Sequence, residues 1–303
     1  MSLFDSLIRA TLPITPKPMV GFFARRYVAG ARLEDAIATV QRLASEGCCA
    51  TIDVLGEAVS DREQAKAAVR DYHQVLDAIV ANKLPANVSL KPTQMGLTID
   101  AAFCQENIES VITYAHARGT FVRIDMEDSP TTDATLKIYH ELVARHPGAT
   151  GVVLQARLRR TLADAQSLAS TRANVRLCKG IYLEPRDIAY EEPEIIRSAY
   201  VNALRLLLEG GAYVGIATHD EWLVCEALGM IGRLGLANDA YEFQMLLGVD
   251  PRLRRILAGA GHRLRVYVPF GSHWYPYSVR RLRENPTIAR VGLQAFFRGR
   301  LES

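Results

Sequence analysis

The segment Cys49-Ala-Thr-Ile-Asp-Val54, followed after a short loop by Arg62–Ala81, decides the fold. The first segment is mostly apolar and β-branched, which is typical of a strand buried on both faces. The second segment repeats apolar residues at helical spacing, as Ala65, Val69 and Tyr72 show, and this pattern indicates an amphipathic helix. A buried strand followed by such a helix is the repeating unit of a covered parallel sheet.

The same unit recurs about every 30 residues, which is the length of one strand, one helix and their connections. The predicted strands are Cys49–Val54, Asn87–Lys91, Phe121–Met126, Gly151–Gln155, Val175–Cys178, Tyr213–Thr218, Ala240–Met245 and Arg265–Val268. The predicted helices are Leu33–Ser45, Arg62–Ala81, Ala101–Arg118, Thr132–Arg145, Thr161–Ser170, Glu194–Leu208, Glu221–Leu234 and Pro251–Leu257.

Eight strands that alternate with helices are the number required for a closed barrel. The alternative is a doubly wound open sheet, which usually carries a glycine-rich first turn. Neither G-x-G-x-x-G nor G-x-x-x-x-G-K-[ST] occurs in the chain, which weakens that alternative. We therefore predict the α/β class and one (β/α)8 TIM barrel domain over residues 1–303, with residues 1–30 as an N-terminal helical extension.

Composition sets limits on partners and compartment. Of the 303 residues, 49% are hydrophobic and 23% are charged, and the net charge is only +3, so we expect a large core and no nucleic-acid binding. The five cysteines lack C-x-x-C spacing, which favours a reducing cytoplasm over disulfides or zinc. We expect neither a signal peptide nor a membrane span. An amphipathic helix within residues 3–25 leaves contact with the inner face of a membrane open.

Polar residues gather where the predicted strands end, which is where barrel enzymes place their active sites. They are Asp53, Lys91, Asp125, Gln155, Arg176, Lys179, Tyr182, His219, Glu242, Gln244 and Tyr267. Ion pairs that close the rim of the barrel would explain part of this set, but buried charge must be either paired or used. Because His219 is the one histidine at a predicted strand end, the pattern is weak evidence for a metal, and we expect none.

A basic helix is predicted after the eighth strand. Pro276 suits its first turn, and Tyr277 lies three and four residues before Arg280 and Arg281, so that ring and guanidinium groups share a face. A carboxylate matches guanidinium groups through paired hydrogen bonds. A solvated basic helix terminus is the alternative interpretation of this segment.

Taken in order, these segments resemble the proline dehydrogenase family, in particular its short single-function bacterial branch. The matching segments are Asp53–Glu57, Ser89–Lys91, Arg123–Glu127, Leu154–Ala156, Val175–Tyr182, Ala217–His219, Glu242–Leu246, Tyr267 and Tyr277–Arg281. Each segment is short, but the ordered set is specific and covers most of the chain. The resemblance implies a distorted barrel with a C-terminal helix over its mouth. It also implies noncovalent FAD and the oxidation of L-proline to Δ1-pyrroline-5-carboxylate by hydride transfer to the flavin N5.

The resemblance also assigns roles to individual residues. Arg280 and Arg281, together with Lys91, hold the substrate carboxylate, and Tyr182, Leu246, Tyr267 and Tyr277 wall its ring. Arg176 lies beside the flavin N5, Asp125 lies near Lys91 and Arg281, and Glu57 pairs with Arg280 and gates the pocket. The residues that line FAD are Met126, Gln155, Cys178, Lys179, Gly180, Thr218 and His219, with Arg176. Asp125 is assigned no firm role as a base, because a carboxylate paired with a cation is better suited to orienting it.

Two other functions stay open on the residues alone. A Schiff-base lyase would use Lys91 or Lys179 as its nucleophile, and a non-catalytic barrel would only bind a ligand. The resemblance favours the flavin enzyme, with a membrane quinone as the expected electron acceptor. The chain has no room for an aldehyde dehydrogenase module, which leaves a separate pyrroline-5-carboxylate dehydrogenase as a partner.

Overall fold

A computed structural model describes residues 20–21, 24–56, 58–275 and 277–279. Within them, eight strands alternate with eight helices. The strands are β1 (Cys49–Val54), β2 (Ala86–Leu90), β3 (Val122–Ile124), β4 (Thr150–Gln155), β5 (Asn174–Cys178), β6 (Tyr213–Ala217), β7 (Tyr241–Leu246) and β8 (Leu264–Phe270). The helices are α1 (Leu33–Ser45), α2 (Arg62–Ala81), α3 (Ala101–His116), α4 (Ser129–Arg145), α5 (Thr161–Ser170), α6 (Pro193–Glu209), α7 (Glu221–Leu234) and α8 (Pro251–Gly259).

The strands form a closed barrel in chain order, and every pairing is parallel. The last strand closes the ring by pairing with the first, with Cys49 opposite Arg265 and Asp53 opposite Pro269. Parallel pairing sends all strand carboxyl ends to one mouth, while the helices cover the outside. The predicted (β/α)8 class is confirmed.

The core lies between the barrel and its helical shell. Helix α2 shows how the sequence builds it: Asp61 begins the helix by accepting a hydrogen bond from the Gln64 backbone, and Tyr72, Leu76 and neighbouring apolar residues are buried against the strands. Full burial of a leucine or isoleucine side chain contributes roughly 1.5–3 kcal/mol. The apolar face of each helix therefore stabilises the barrel by packing against its strands.

Differences from the predicted bounds are confined to the ends of elements. The bounds of α1, α2, α5 and α7 match the prediction. Strand β8 continues through Pro269 to Phe270, and helix α4 begins at Ser129, with Pro130 in its first turn. Strand β3 covers only Val122–Ile124, so the Asp125 carboxylate lies just beyond the strand.

Segments at both ends of the described chain meet near the mouth. Ala24, Tyr27 and Val28 form a small apolar cluster with Leu55 and Tyr277. The Ala29 backbone N–H donates to the Pro269 carbonyl at 2.9 Å, which fixes this segment against β8. Most of the predicted N-terminal extension and of the predicted C-terminal helix lies outside the described residues. No helix in the described ranges has the length and hydropathy to cross a membrane.

Candidate active site

A cavity of about 270 Å³ opens at the carboxyl ends of the strands. Its lining residues are Lys91, Asp125, Met126, Val153, Gln155, Arg176, Cys178, Gly180, Ile181, Tyr182, Ala217, His219, Gln244, Met245, Leu246, Tyr267 and Tyr277. They come from strands and loops spread over the whole chain, so only the closed barrel brings them together. Most of the residues predicted from the sequence line this one cavity.

Lys91 and Asp53 form a buried ion pair on one side of the cavity. The Lys91 ammonium lies 2.7 and 2.9 Å from the two oxygens of Asp53, whose side chain is fully enclosed. Burial alone would lower the pKa of Lys91, but the carboxylates of Asp53 and Asp125 outweigh it and leave that pKa above its ordinary value. Lys91 therefore enters the cavity as a fixed positive charge rather than a neutral amine.

Asp125 connects this pair to Arg176. Its Oδ1 accepts from the Arg176 guanidinium at 2.7 Å and from the Ser89 hydroxyl at 2.5 Å. Its Oδ2 accepts from the Tyr267 phenol at 3.1 Å, and the same phenol oxygen lies 3.4 Å from the Lys91 ammonium. Burial first, and then the negative charges nearby, raise the pKa of Tyr267 well above its ordinary value, so the phenol keeps its proton. Lys91, Asp125, Arg176 and Tyr267 all line the cavity, whereas Ser89 and Asp53 support them from beneath it.

The carboxyl ends of β4 and β5 contribute Gln155, Cys178 and Gly180 to the lining. The Gln155 side-chain amide donates to the Glu127 carbonyl at 2.7 Å, which orients it beside Gly180. Gly180 has a φ of +92°, and a Cβ there would lie 2.9 Å from the Gln155 Oε1, so glycine permits this close approach. Burial raises the pKa of the Cys178 thiol to about 11, so it remains a neutral packing group.

A hydrogen bond from the last residue of β7 holds His219 at the cavity. Its Nε2 accepts a hydrogen bond from the Leu246 backbone N–H at 2.9 Å. A neutral imidazole that accepts at Nε2 carries its proton on Nδ1, so the ring presents a defined donor. The described residues contain no cluster of three or more His, Cys, Asp and Glu suited to a metal ion.

Two predicted FAD residues lie beside the cavity rather than in its lining. The Lys179 ammonium donates to Asp220 at 2.5 Å, and Arg197 donates to the same carboxylate at 2.7 Å. The Thr218 hydroxyl accepts from the Asp220 backbone N–H at 3.0 Å. Burial opposes ionisation, but the two cations outweigh it and lower the pKa of Asp220 to about 2. Lys179, Arg197 and Asp220 thus form an ion-pair cluster next to the carboxyl ends of β5 and β6.

The donor set and the shape of the cavity fit a flavin ring. Met126, Val153 and Met245 give the cavity apolar surface, while Arg176 supplies guanidinium hydrogen-bond donors. A planar heteroaromatic ring that gains electrons needs this combination of apolar walls and fixed donors.

Three predicted residues lie outside the described chain, namely the gate residue Glu57 and the carboxylate-binding pair Arg280 and Arg281. Other lining residues were not predicted, among them Val153 and Met245, which are apolar strand residues that look like ordinary core. Their place near the carboxyl end of a predicted strand was the signal that could have identified them, because inward-pointing residues there line the mouth of a barrel.

The closed parallel barrel, with a mostly apolar, cation-bearing cavity at its mouth, has the architecture of a (β/α)8-barrel enzyme. A sequence profile described as proline dehydrogenase matches residues 36–291. A proline dehydrogenase of Deinococcus radiodurans is 34% identical over 98% of this chain and 100% of its own length. Proline dehydrogenase 1 of Bacillus subtilis strain 168 is 33% identical over 91% of each chain. The chain therefore belongs to the proline dehydrogenase family, flavin-dependent oxidoreductases of proline catabolism.

Solved structures support the fold. A crystal structure of proline utilization A (PutA) from Bdellovibrio bacteriovorus inactivated by N-propargylglycine has a TM-score of 0.81 and 23% identity over 87% of this chain. PutA from Corynebacterium freiburgense has a TM-score of 0.76 and 20% identity over 96% of this chain. This chain spans about a third of the length of each, with 32% and 34% covered.

Proposed function

We propose that this chain oxidises L-proline to Δ1-pyrroline-5-carboxylate with noncovalently bound FAD. The observation that carries this proposal is the hydrogen-bonded set Lys91, Tyr267, Asp125 and Arg176 in the lining of a mostly apolar cavity. Family membership supports it, because relatives named proline dehydrogenase match almost the whole chain. When bound, FAD supplies the acceptor for the hydride that leaves the substrate carbon.

The residues of the cavity would bind and orient the substrate. Lys91 contributes positive charge for the substrate carboxylate, and Tyr182, Leu246 and Tyr277 give apolar surface for the pyrrolidine ring. Asp125 holds the guanidinium of Arg176 and the phenol of Tyr267 at fixed distances. Positioning of this kind lowers the barrier because the reacting C–H approaches the acceptor in one geometry. Asp125 is thus a group that orients cations rather than a base.

The carboxylate site extends, on the basis of the resemblance, to Arg280 and Arg281. Replacement Arg281→Met should raise KM for proline by about tenfold or more, because a charge-assisted hydrogen bond to the substrate is lost. FAD should stay bound, which the flavin absorbance of the purified variant measures. An unchanged KM would exclude Arg281 from the carboxylate site.

Substrate choice is expected to depend on Tyr267. Its phenol is already engaged by Lys91 and Asp125, so its ring has little freedom to move aside for an added hydroxyl group. We therefore expect 4-hydroxyproline to have a much lower kcat/KM than proline. Equal values of kcat/KM for the two substrates would contradict this role.

The decisive experiment is an absorbance spectrum of the purified protein, followed by anaerobic addition of L-proline. A flavin band at about 450 nm that bleaches with L-proline, but not with D-proline, is the expected result. The absence of flavin after reconstitution with FAD, or a band that L-proline leaves unchanged, would refute the proposal. Borohydride trapping of an aldehyde on Lys91 or Lys179 would instead support the lyase.

The electrons then pass to a second substrate. A membrane quinone is the proposed acceptor, and it would require transient contact with the inner face of the membrane by an otherwise cytoplasmic protein. A short-chain water-soluble quinone should reoxidise the reduced enzyme faster than dioxygen does. The product would pass to a separate pyrroline-5-carboxylate dehydrogenase.

A further inference from the structure

A column of polar side chains descends from Arg176 into the barrel. The Arg176 Nε donates to the Gln244 Oε1 at 2.5 Å, and the Gln244 Nε2 donates to the Glu242 Oε1 at 2.6 Å. The Arg265 Nε donates to the same Glu242 oxygen at 2.7 Å. Gln244, Glu242 and Arg265 are 7%, 2% and 7% exposed, so the column is almost sealed from solvent.

The lower end of the column is a fixed negative charge. The second oxygen of Glu242 accepts from the Tyr213 phenol at 3.0 Å and lies 3.3 Å from the Arg263 Nε. Burial opposes ionisation of Glu242, but Arg265 and its other partners outweigh it and hold its pKa below the ordinary value. An ionised carboxylate only accepts hydrogen bonds. Gln244 must therefore turn its NH2 group toward Glu242 and its carbonyl oxygen toward Arg176.

The sheet is built to admit this amide. Gly215 on β6 is paired with Arg176 of β5 on one side and with Glu242 of β7 on the other, so it lies between these two residues in the sheet. A Cβ at Gly215 would lie 2.3 Å from the Gln244 Nε2. The missing side chain at Gly215 thus leaves the space that the amide of Gln244 fills.

Arg176 is consequently anchored by two of its three nitrogen atoms. Its Nε is held by Gln244, and its Nη1 is held by Asp125 at 2.7 Å and lies 3.3 Å from the Ser89 hydroxyl. Within the described residues, the Nη2 of Arg176 makes no hydrogen bond to the protein. It is also not one of the enclosed polar atoms left without a partner, so it is accessible from the cavity. The guanidinium therefore presents the N–H groups of its Nη2 to the cavity.

We propose that Gln244 is a positioning residue that orients the Nη2 of Arg176 toward the flavin. Glu242 in turn sets the orientation of the Gln244 side-chain amide. The proposal rests on the proposed function. The amide also acts as a neutral spacer, because it keeps the carboxylate of Glu242 from contacting the guanidinium. Arg176 thereby has one carboxylate partner, Asp125, rather than two, and its Nη2 stays available to the electron-rich form of the cofactor.

The test compares Gln244→Met with the wild-type holoenzyme. Methionine has a similar length but makes neither hydrogen bond of the amide, so Arg176 loses one anchor. Sulfite, which adds reversibly to the N5 of oxidised flavin, reports how well nearby donors stabilise negative charge on the ring. We expect the sulfite dissociation constant to rise by about tenfold or more, and kcat to fall by about tenfold or more. KM for proline should change by less than about threefold, because the carboxylate site is untouched.

Two further variants separate positioning from folding. Gln94→Met removes an equally buried amide, 4% exposed, that bonds the Val54 carbonyl instead, and it should leave sulfite affinity and kcat within about twofold of wild type. Gly215→Ala adds one methyl group against the Gln244 amide, and it should reproduce the change in sulfite affinity even if Gln244→Met folds poorly.

Wild-type sulfite affinity and kcat in Gln244→Met, at full FAD occupancy, would overturn the proposal. So would a loss of sulfite affinity in Gln94→Met as large as that in Gln244→Met, because the effect would then be one of general packing. The proposed function fails in a different way, since wild type itself would then show no flavin or no bleaching by L-proline.

Discussion

Asp220 gives the sharpest prediction about stability. Its carboxylate accepts from Lys179 at 2.5 Å and from Arg197 at 2.7 and 3.2 Å, and it begins α7 by accepting from the Trp222 backbone at 3.2 Å. Asp220→Asn removes the charge but keeps a good helix N-cap. A pKa that falls from 3.8 to about 2 corresponds to about 2 kcal/mol of folding free energy. Because Lys179 and Arg197 are 39% and 32% exposed, solvent screening lowers the expected loss at pH 7 to about 1–2 kcal/mol.

The sign of the pH dependence follows from the direction of the shift. The pKa of Asp220 is lower in the folded state, so its contribution is complete above the unfolded value of 3.8 and disappears as pH falls toward 2. The difference in unfolding free energy between wild type and Asp220→Asn should be constant from pH 7 to pH 5. It should shrink to about half by pH 3, where the unfolded carboxyl group is already mostly protonated.

Urea unfolding at a fixed concentration of FAD measures this difference. Asp61→Asn is the matched control, because Asp61 also begins a helix, by accepting from Gln64 at 2.9 Å, but makes no ion pair among the described residues. It should change the unfolding free energy by less than about 0.5 kcal/mol. A loss below that value for Asp220→Asn at pH 7, or a loss that is the same at pH 3, would refute the reasoning.

Three more outcomes follow from the buried groups. Lys91→Met should cost about 3–5 kcal/mol of unfolding free energy, and adding Asp53→Asn should restore most of it, because the single change leaves a buried carboxylate without its partner; additive losses in urea unfolding would contradict this. Leu43→Ala should cost about 2–5 kcal/mol, measured in the same way, since Leu43 is fully buried, and a loss below about 1 kcal/mol would mean that the site collapses freely. With a thiol reagent, exposed Cys225 should react in the folded protein, whereas buried Cys104, whose pKa is raised to about 12, should react only after unfolding.

The fold was predictable because the strand and helix patterns along the sequence all indicate the same (β/α)8 barrel. Strand burial and helical periodicity located every element, and the predicted bounds of α1 and α2 match those observed. The ends were harder to predict. The predicted β8 ends at Val268, yet the strand continues through Pro269 to Phe270, because Asp53 and Val54 of β1 are still paired with these two residues. Such pairing depends on a distant segment and leaves no local signal.

The site was predictable in its members but not in its pairings. Strand ends identified Lys91, Asp125 and Arg176, and the structure brings all three to one cavity. Asp125 lies near Lys91 through the shared Tyr267 phenol, but the direct pairing of the Lys91 ammonium with Asp53 was not predicted. Which carboxylate meets which cation depends on the stagger between neighbouring strands, and composition at strand ends does not encode that stagger.

Closure of the ring between β1 and β8 has a consequence for synthesis of the protein. Arg265 bonds the carbonyl of Ala50, 215 residues earlier, whereas the other strand pairings join successive strands. A nascent chain that has emerged only as far as β7 therefore has two unpaired strand edges at once, and these edges can join those of other chains. Translation that stalls before β8 should favour aggregation far more than a stall after Phe270, when the seam between the first and last strands can form.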